Sequence, residues 1–163
     1  RSLVGSEMCI RDSFRAFFPI APQGALHFDR EDSNMPTAAL KNALQARLDL
    51  LQQLWERRDS TAIVRELYTQ DTEITGAGSA ALYHGTEQLQ ELLAALVNDS
   101  RGASIRIDRL ADLGDSAAYT WVTWRVLPLE GEAFSMKSLF VWRLLDGEWR
   151  VLADMYAEGE IPA

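Results

Sequence analysis

Cysteine is almost absent: the chain has a single one, Cys9, so neither an internal disulfide nor a thiol-rich metal cluster can be built from it. Basic residues are in the minority, 16 Lys and Arg against 24 Asp and Glu for a net charge of -8. This argues against a nucleic acid or anionic membrane partner, because holding phosphates takes clustered cations. Long hydrophobic runs are also missing. The apolar stretch Phe14–Ile20 falls well short of the roughly 18 residues that span a bilayer and lacks the layout of a signal peptide, so the expected location is the cytoplasm. With two histidines in the whole chain, and only His84 beyond residue 34, no first shell of metal ligands assembles itself, and no metal or cofactor is expected.

What is present suits a single folded unit. The 163 residues are 47% hydrophobic and 25% charged, enough apolar surface for one core and too short a chain for two. The opening segment, residues 1–13 (RSLVGSEMCIRDS), has no helical or strand period and resembles a translated sequencing adapter from environmental DNA. Residues 14–34 are aperiodic too, and Arg30–Asn34 before Met35 reads like a ribosome-binding site translated in frame. The expected partition is an artefactual or disordered segment over 1–34, one domain over 35–158 and a tail over 159–163; a genuine N-terminal arm is the alternative.

From Pro36 a pattern emerges. Leu40, Leu44, Leu48, Leu51 and Trp55 recur at three- and four-residue steps and predict an amphipathic helix with Thr37 as N-cap. Ser60 is the expected cap of a short second helix burying Ile63, Val64, Leu67 and Tyr68, followed by a brief strand over 72–75 and a small-residue loop, Gly76–Ser79. Thr86 is the expected cap of a third helix with Leu89, Leu92, Leu93, Leu96 and Val97 on one side. After Ala103 the pattern is β throughout. Strands are expected at Ile105–Ile107, Ala117–Leu127, Ala133–Leu145 and Glu148–Tyr156, the last two joined by the hairpin signal Asp146-Gly147. The predicted class is therefore α+β: three helices packed on a curved, mainly antiparallel sheet that encloses a pocket.

Alternation along the strands sorts side chains by face. If Asp146-Gly147 is a two-residue turn, Asp154 stands opposite Leu139 and Tyr156 opposite Lys137. One face then carries Tyr119, Trp121, Thr123, Lys137, Leu139, Asp154 and Tyr156, a mixture that suits a small-molecule pocket. The other carries Trp124, Phe134, Met136, Phe140, Trp142, Trp149 and Met155, too apolar to face water without a helix or another subunit over it. A one-residue error of register would exchange these assignments.

The order of these elements, with Tyr68-Thr69-Gln70-Asp71 after the second helix, Tyr83-His84-Gly85-Thr86 before the third, and Phe140–Arg143 leading through Asp146-Gly147 to Asp154, resembles the SnoaL-like branch of the nuclear transport factor 2-like superfamily. The resemblance covers residues 40–158. It implies a cone-shaped fold, a pocket between sheet and helices, and dimerisation through the outer face of the sheet. It does not imply one activity, since function in such a superfold lives in the site. The position of the ketosteroid isomerase base falls on Gly76, which has no carboxylate. Of the three charged positions of limonene-epoxide-hydrolase-like members, two fall on Trp121 and Thr123, and only Asp154 is kept.

The expected site follows from both lines. Asp154 and His84 are the candidate catalytic groups, with Tyr119, Trp121, Thr123, Lys137, Leu139 and Tyr156 as substrate-binding residues. Asp154 reads as a general base or substrate anchor, or else as half of a structural ion pair with Lys137; His84 reads as an acid–base group, or else as an exposed loop residue. The expected partners are a small apolar organic ligand and a second copy of the chain. The expected function is a cofactor-independent isomerase, lyase, cyclase or hydrolase, the alternative being a non-catalytic ligand-binding or oligomerisation module.

Overall fold

The computed structural model describes residues 34–162. The expectations for residues 1–33, including the adapter-like segment and Cys9, lie outside them. Three helices and six strands follow in the order α1 (Asn34–Glu56), α2 (Ser60–Leu67), β1 (Tyr68–Gly76), β2 (Leu82–His84), α3 (Gly85–Asn98), β3 (Ser100–Asp112), β4 (Ala117–Pro128), β5 (Phe134–Leu145) and β6 (Glu148–Glu158). None of these helices is long and apolar enough to cross a membrane.

The helices bury the stripes their periods announce. Leu44, Leu48, Leu51 and Trp55 of α1, Ile63, Val64 and Leu67 of α2, and Leu89, Leu93 and Val97 of α3 all enter the core. The capping residues differ from expectation. Thr37 lies inside α1 rather than at its start, and α2 is capped by Asp59, whose carboxylate accepts from the Ala62 N–H at 2.9 Å, one residue before the expected Ser60. A carboxylate both fills an orphan amide and favours the positive end of the helix dipole. Thr86 does not cap α3 either: the helix starts at Gly85, and Gln88 reaches back to accept from the His84 N–H at 3.0 Å.

The sheet runs β2-β1-β6-β5-β4-β3 and is open, with β1 and β6 parallel and every other pair antiparallel. β2 was not foreseen; three residues offer too little alternation to stand out, and it pairs Tyr83 with Ile74 of β1. The β4–β5 register agrees with expectation, Trp121 beside Leu139 and Thr123 beside Lys137. At the β5–β6 turn Asp146 and Gly147 both have positive φ, 52° and 83°, as a type I′ hairpin requires.

Beyond Val151 the register changes. Trp142 pairs with Val151, but the next residue, Val141, pairs with Ala153, leaving Leu152 as an extra residue on β6. A bulge of this kind moves everything after it to the opposite face. Asp154 now lies beside Phe140 and Tyr156 beside Ser138, while Met155 points to the face where Asp154 was expected, 54% exposed. The buried Thr72 sits at this irregularity: its hydroxyl donates to the Val151 carbonyl at 2.6 Å and accepts from the Thr69 N–H at 2.8 Å. It thereby occupies polar groups near the break, where β1 also loses register between Tyr68 and Glu73.

The apolar face of the sheet is covered by the helices. Trp55 of α1 packs on Trp124, Trp124 on Phe140 and Phe140 on Trp142, with ring centroids 5.6 to 5.9 Å apart, the last two pairs edge to face. Such pairs contribute about 0.5–1.5 kcal/mol each beyond burial. Each indole N–H is matched by a hydroxyl: Trp55 by Ser100, Trp124 by Ser138 and Trp142 by Thr120.

Candidate functional site

Between this aromatic face and the helices lies a cavity of about 350 Å³. That is at the small end of the roughly 300–1,000 Å³ range of ligand sites. Trp55 of α1 and Leu92, Leu93 and Leu96 of α3 line it from the helices; Ile74 of β1, Trp124 of β4 and Phe134 and Met136 of β5 line it from the sheet. The polar lining consists of Asp154, Ser138, Ser100, Tyr68, Tyr156 and, exposed at the rim, Asp99. Among the described residues no Lys, Arg or His lines it.

Asp154 is the unusual group. It is 8% exposed, and its Oδ1 is buried with no hydrogen-bond partner among the described residues. Burial pushes its carboxyl up to about 7, and the nearby Ser138 hydroxyl works the other way. Ser138 already accepts from the Trp124 indole at 3.1 Å, which leaves its own proton to donate. Tyr68 is raised far above the ordinary phenol value by burial, with the Asp154 charge adding to it. Burial raises Tyr156 as well, with smaller contributions from Tyr83 and Asp154.

Two of the eight sequence-predicted site residues, Asp154 and Tyr156, meet in the cavity. Tyr119, Trp121, Thr123, Lys137 and Leu139 do not; the bulge at Leu152 leaves them on the other side of the sheet. Lys137 is therefore not the partner of Asp154: it pairs across the ladder with Ala157, not with Tyr156. Thr123 is bound up in structure, donating to Asp108 Oδ2 at 2.6 Å and accepting from the Ile161 N–H of the C-terminal tail at 3.2 Å. That tail crosses the outer face, with Glu160 accepting from the Ser135 hydroxyl at 2.8 Å. His84 is exposed on β2, opposite Glu73, and is not among the lining residues. Among the described residues no three His, Cys, Asp or Glu side chains come together.

Several lining residues were missed. Trp124, Phe134 and Met136 were assigned to the opposite face from Asp154, and Ser138 was not singled out. Their period-two alternation was legible, but the extra residue that turns Asp154 toward them leaves no mark in the local pattern. Gly76 has a steric reason of its own: a Cβ there would stand 2.4 Å from the Tyr156 ring, so the phenol lies against the bare backbone.

A sequence profile of the SnoaL-like domain matches residues 49–152. The chain belongs to the SnoaL-like domain family. Solved structures give the same fold. A ketosteroid isomerase-like protein from Erwinia carotovora atroseptica superposes with a TM-score of 0.60 at 17% identity, covering 79% of this chain and all of the other. A nuclear transport factor 2-like superfamily protein from Salmonella enterica serovar Typhimurium gives 0.61 at 14% identity, over 78% of this chain and 96% of its own. A putative calcium/calmodulin dependent protein kinase II association domain from Xanthomonas campestris gives 0.60 at 15% identity, over 87% and 97%. No curated protein sequence matches the chain. At these identities the likeness establishes the fold alone, and the SnoaL-like domain's chemistry has to be argued from its own residues.

Proposed function

We propose that this SnoaL-like domain binds a small, largely apolar organic molecule in the cavity, and that Asp154 transfers a proton to or from it without a cofactor. The observation behind this is a buried carboxyl with an unpartnered oxygen in an apolar cavity, raised to about 7. A group poised near neutrality gives and takes protons most effectively at physiological pH. Tyr156, in the same cavity, is the hydrogen-bond donor for the substrate's polar atom. The reaction class is isomerisation, elimination, cyclisation or hydrolysis. His84, outside the cavity, has no part in it.

The test is proton exchange. Cyclic ketones incubated with the protein in D2O should gain deuterium next to the carbonyl, and Asp154→Asn should abolish that gain while leaving the melting curve cooperative. Thermal shift with the same ketones reports binding separately, since a ligand of the native state raises stability by mass action. Binding without exchange would favour the second reading, a non-catalytic ligand-binding or assembly module. Gly76 speaks for that reading: the position of the ketosteroid isomerase base is held by a glycine under the Tyr156 ring. The Xanthomonas structure, named as an association domain, shares the fold. For assembly we propose a homodimer through the outer face, where Tyr119, Trp121, Leu139 and Val141 are half-buried and Met155 is exposed. Met155→Glu should then lower the sedimenting mass to that of one chain; an unchanged mass would remove this contact.

A further inference from the structure

We propose that the ligand of this cavity is an organic cation, a protonated amine on an apolar body whose N–H donates to Asp154. The inference rests on the reading of the cavity as a ligand site and specifies the ligand's charge. Its basis is what faces Asp154 from each surrounding element. β5 offers the Ser138 hydroxyl, the start of β1 the Tyr68 phenol and β6 the Tyr156 phenol, which itself feels Tyr83 of β2; beyond α3, Asp99 stands at the rim. α1 contributes Trp55, with its N–H already given to Ser100 at 2.6 Å.

Among the described residues no element supplies a positive charge to the lining, whose charged side chains are the carboxylates Asp99 and Asp154. The cation expected beside Asp154, Lys137, lies on the far side of the sheet. A ligand carboxylate or phosphate would meet like charge in a low-dielectric space with no cation among the described lining residues to neutralise it. A neutral ligand supplies at most a hydrogen bond. An ammonium supplies both the donor for the open Oδ1 and the missing charge, and a buried pair is favourable only when charge and hydrogen bonding are satisfied together. The walls fit as well. Trp55, Trp124 and Phe134 border the cavity, and aromatic faces attract cations through their quadrupoles. The exposed Asp99 at the rim, on a chain of net charge -8, biases encounter the same way.

The experiment uses three compounds on one skeleton: 3-phenylpropylamine, 3-phenylpropan-1-ol and 3-phenylpropanoate, titrated calorimetrically into the full chain at pH 6 and pH 8. The amine stays protonated throughout, like a lysine side chain. It should bind in preference to the alcohol, and about tenfold more tightly at pH 8 than at pH 6, because only ionised Asp154 accepts it. The alcohol should show no such rise and the carboxylate no binding. Asp154→Asn should weaken the amine by at least about tenfold, the scale of a hydrogen bond to a charged group. Asp99→Asn should weaken it two- to threefold, a rim charge being screened. If the alcohol binds as tightly as the amine at pH 8, or the amine ignores both pH and Asp154→Asn, the cation is wrong and the ligand site stands. If none of the three produces heat or a thermal shift, and the ketones also fail, the site itself is overturned.

Discussion

The two faces of the sheet carry similar residues and do opposite things. Trp142 and Trp121 come from neighbouring strands, yet Trp142 is fully buried beneath the helices and Trp121 only half-buried on the other side. Likewise Asp154 and Lys137, on adjacent strands, are separated by the thickness of the sheet. Residue type therefore says little about role in this domain. Which face a strand position reaches is decisive, and in β6 one extra residue sets it.

Five variants probe that contrast. The largest effect belongs to the tryptophans: Trp142→Ala should cost about 3–5 kcal/mol in urea denaturation, as deletion of a packed aromatic does, and Trp121→Ala less than about 1 kcal/mol. Equal losses would mean the outer face is also core. Next is Asp154→Asn. The folded carboxyl is raised from 3.8 to about 7, so between these values the folded state holds a proton that the unfolded state has released. Stability of the parent should therefore fall as pH rises from about 4 to 7 and level off above, at roughly 1.4 kcal/mol per unit of separation. Asp154→Asn should flatten this slope and be the more stable protein at pH 8.

Thr72→Val, similar in shape but without the hydroxyl at the bulge, should cost about 1–3 kcal/mol and weaken binding in the cavity. A loss of stability with binding intact would mean the bulge forms without Thr72. The smallest effect is expected for Lys137→Ala, within about 0.5 kcal/mol and with the pH slope of the parent unchanged. A changed slope would restore the ion pair that the register rules out.

Much of the fold was legible. The leucine stripe ending at Trp55, the helix over Leu89–Val97 and the Asp146-Gly147 turn are local signals, each written within a few residues. The cap of α2 was read one residue off because Ser and Asp satisfy helix amides almost interchangeably, and Asp59 stands next to Ser60. Of the site, Asp154 was found as the odd carboxylate in an apolar strand, and Tyr156 with it. Trp124, Phe134 and Met136 were placed across the sheet from it, since no residue in Val151-Leu152-Ala153 announces a bulge.

The amino-acid sequence by itself determined the three helices and every strand but β2, the β4–β5 register, the acidic charge and the lone carboxylate near the end of β6. Periodicity, turn chemistry and charge act between neighbours along the chain, so they need no knowledge of distant contacts. Only the tertiary structure decided that Asp154 lies inside, among tryptophans and with no cation among the described lining residues. That outcome depends on β6 pairing with β5 and β1 together, with Thr72 of β1 bonded to the Val151 carbonyl where the two ladders fall out of step. A contact between residues so far apart in the chain forms only when the whole sheet does.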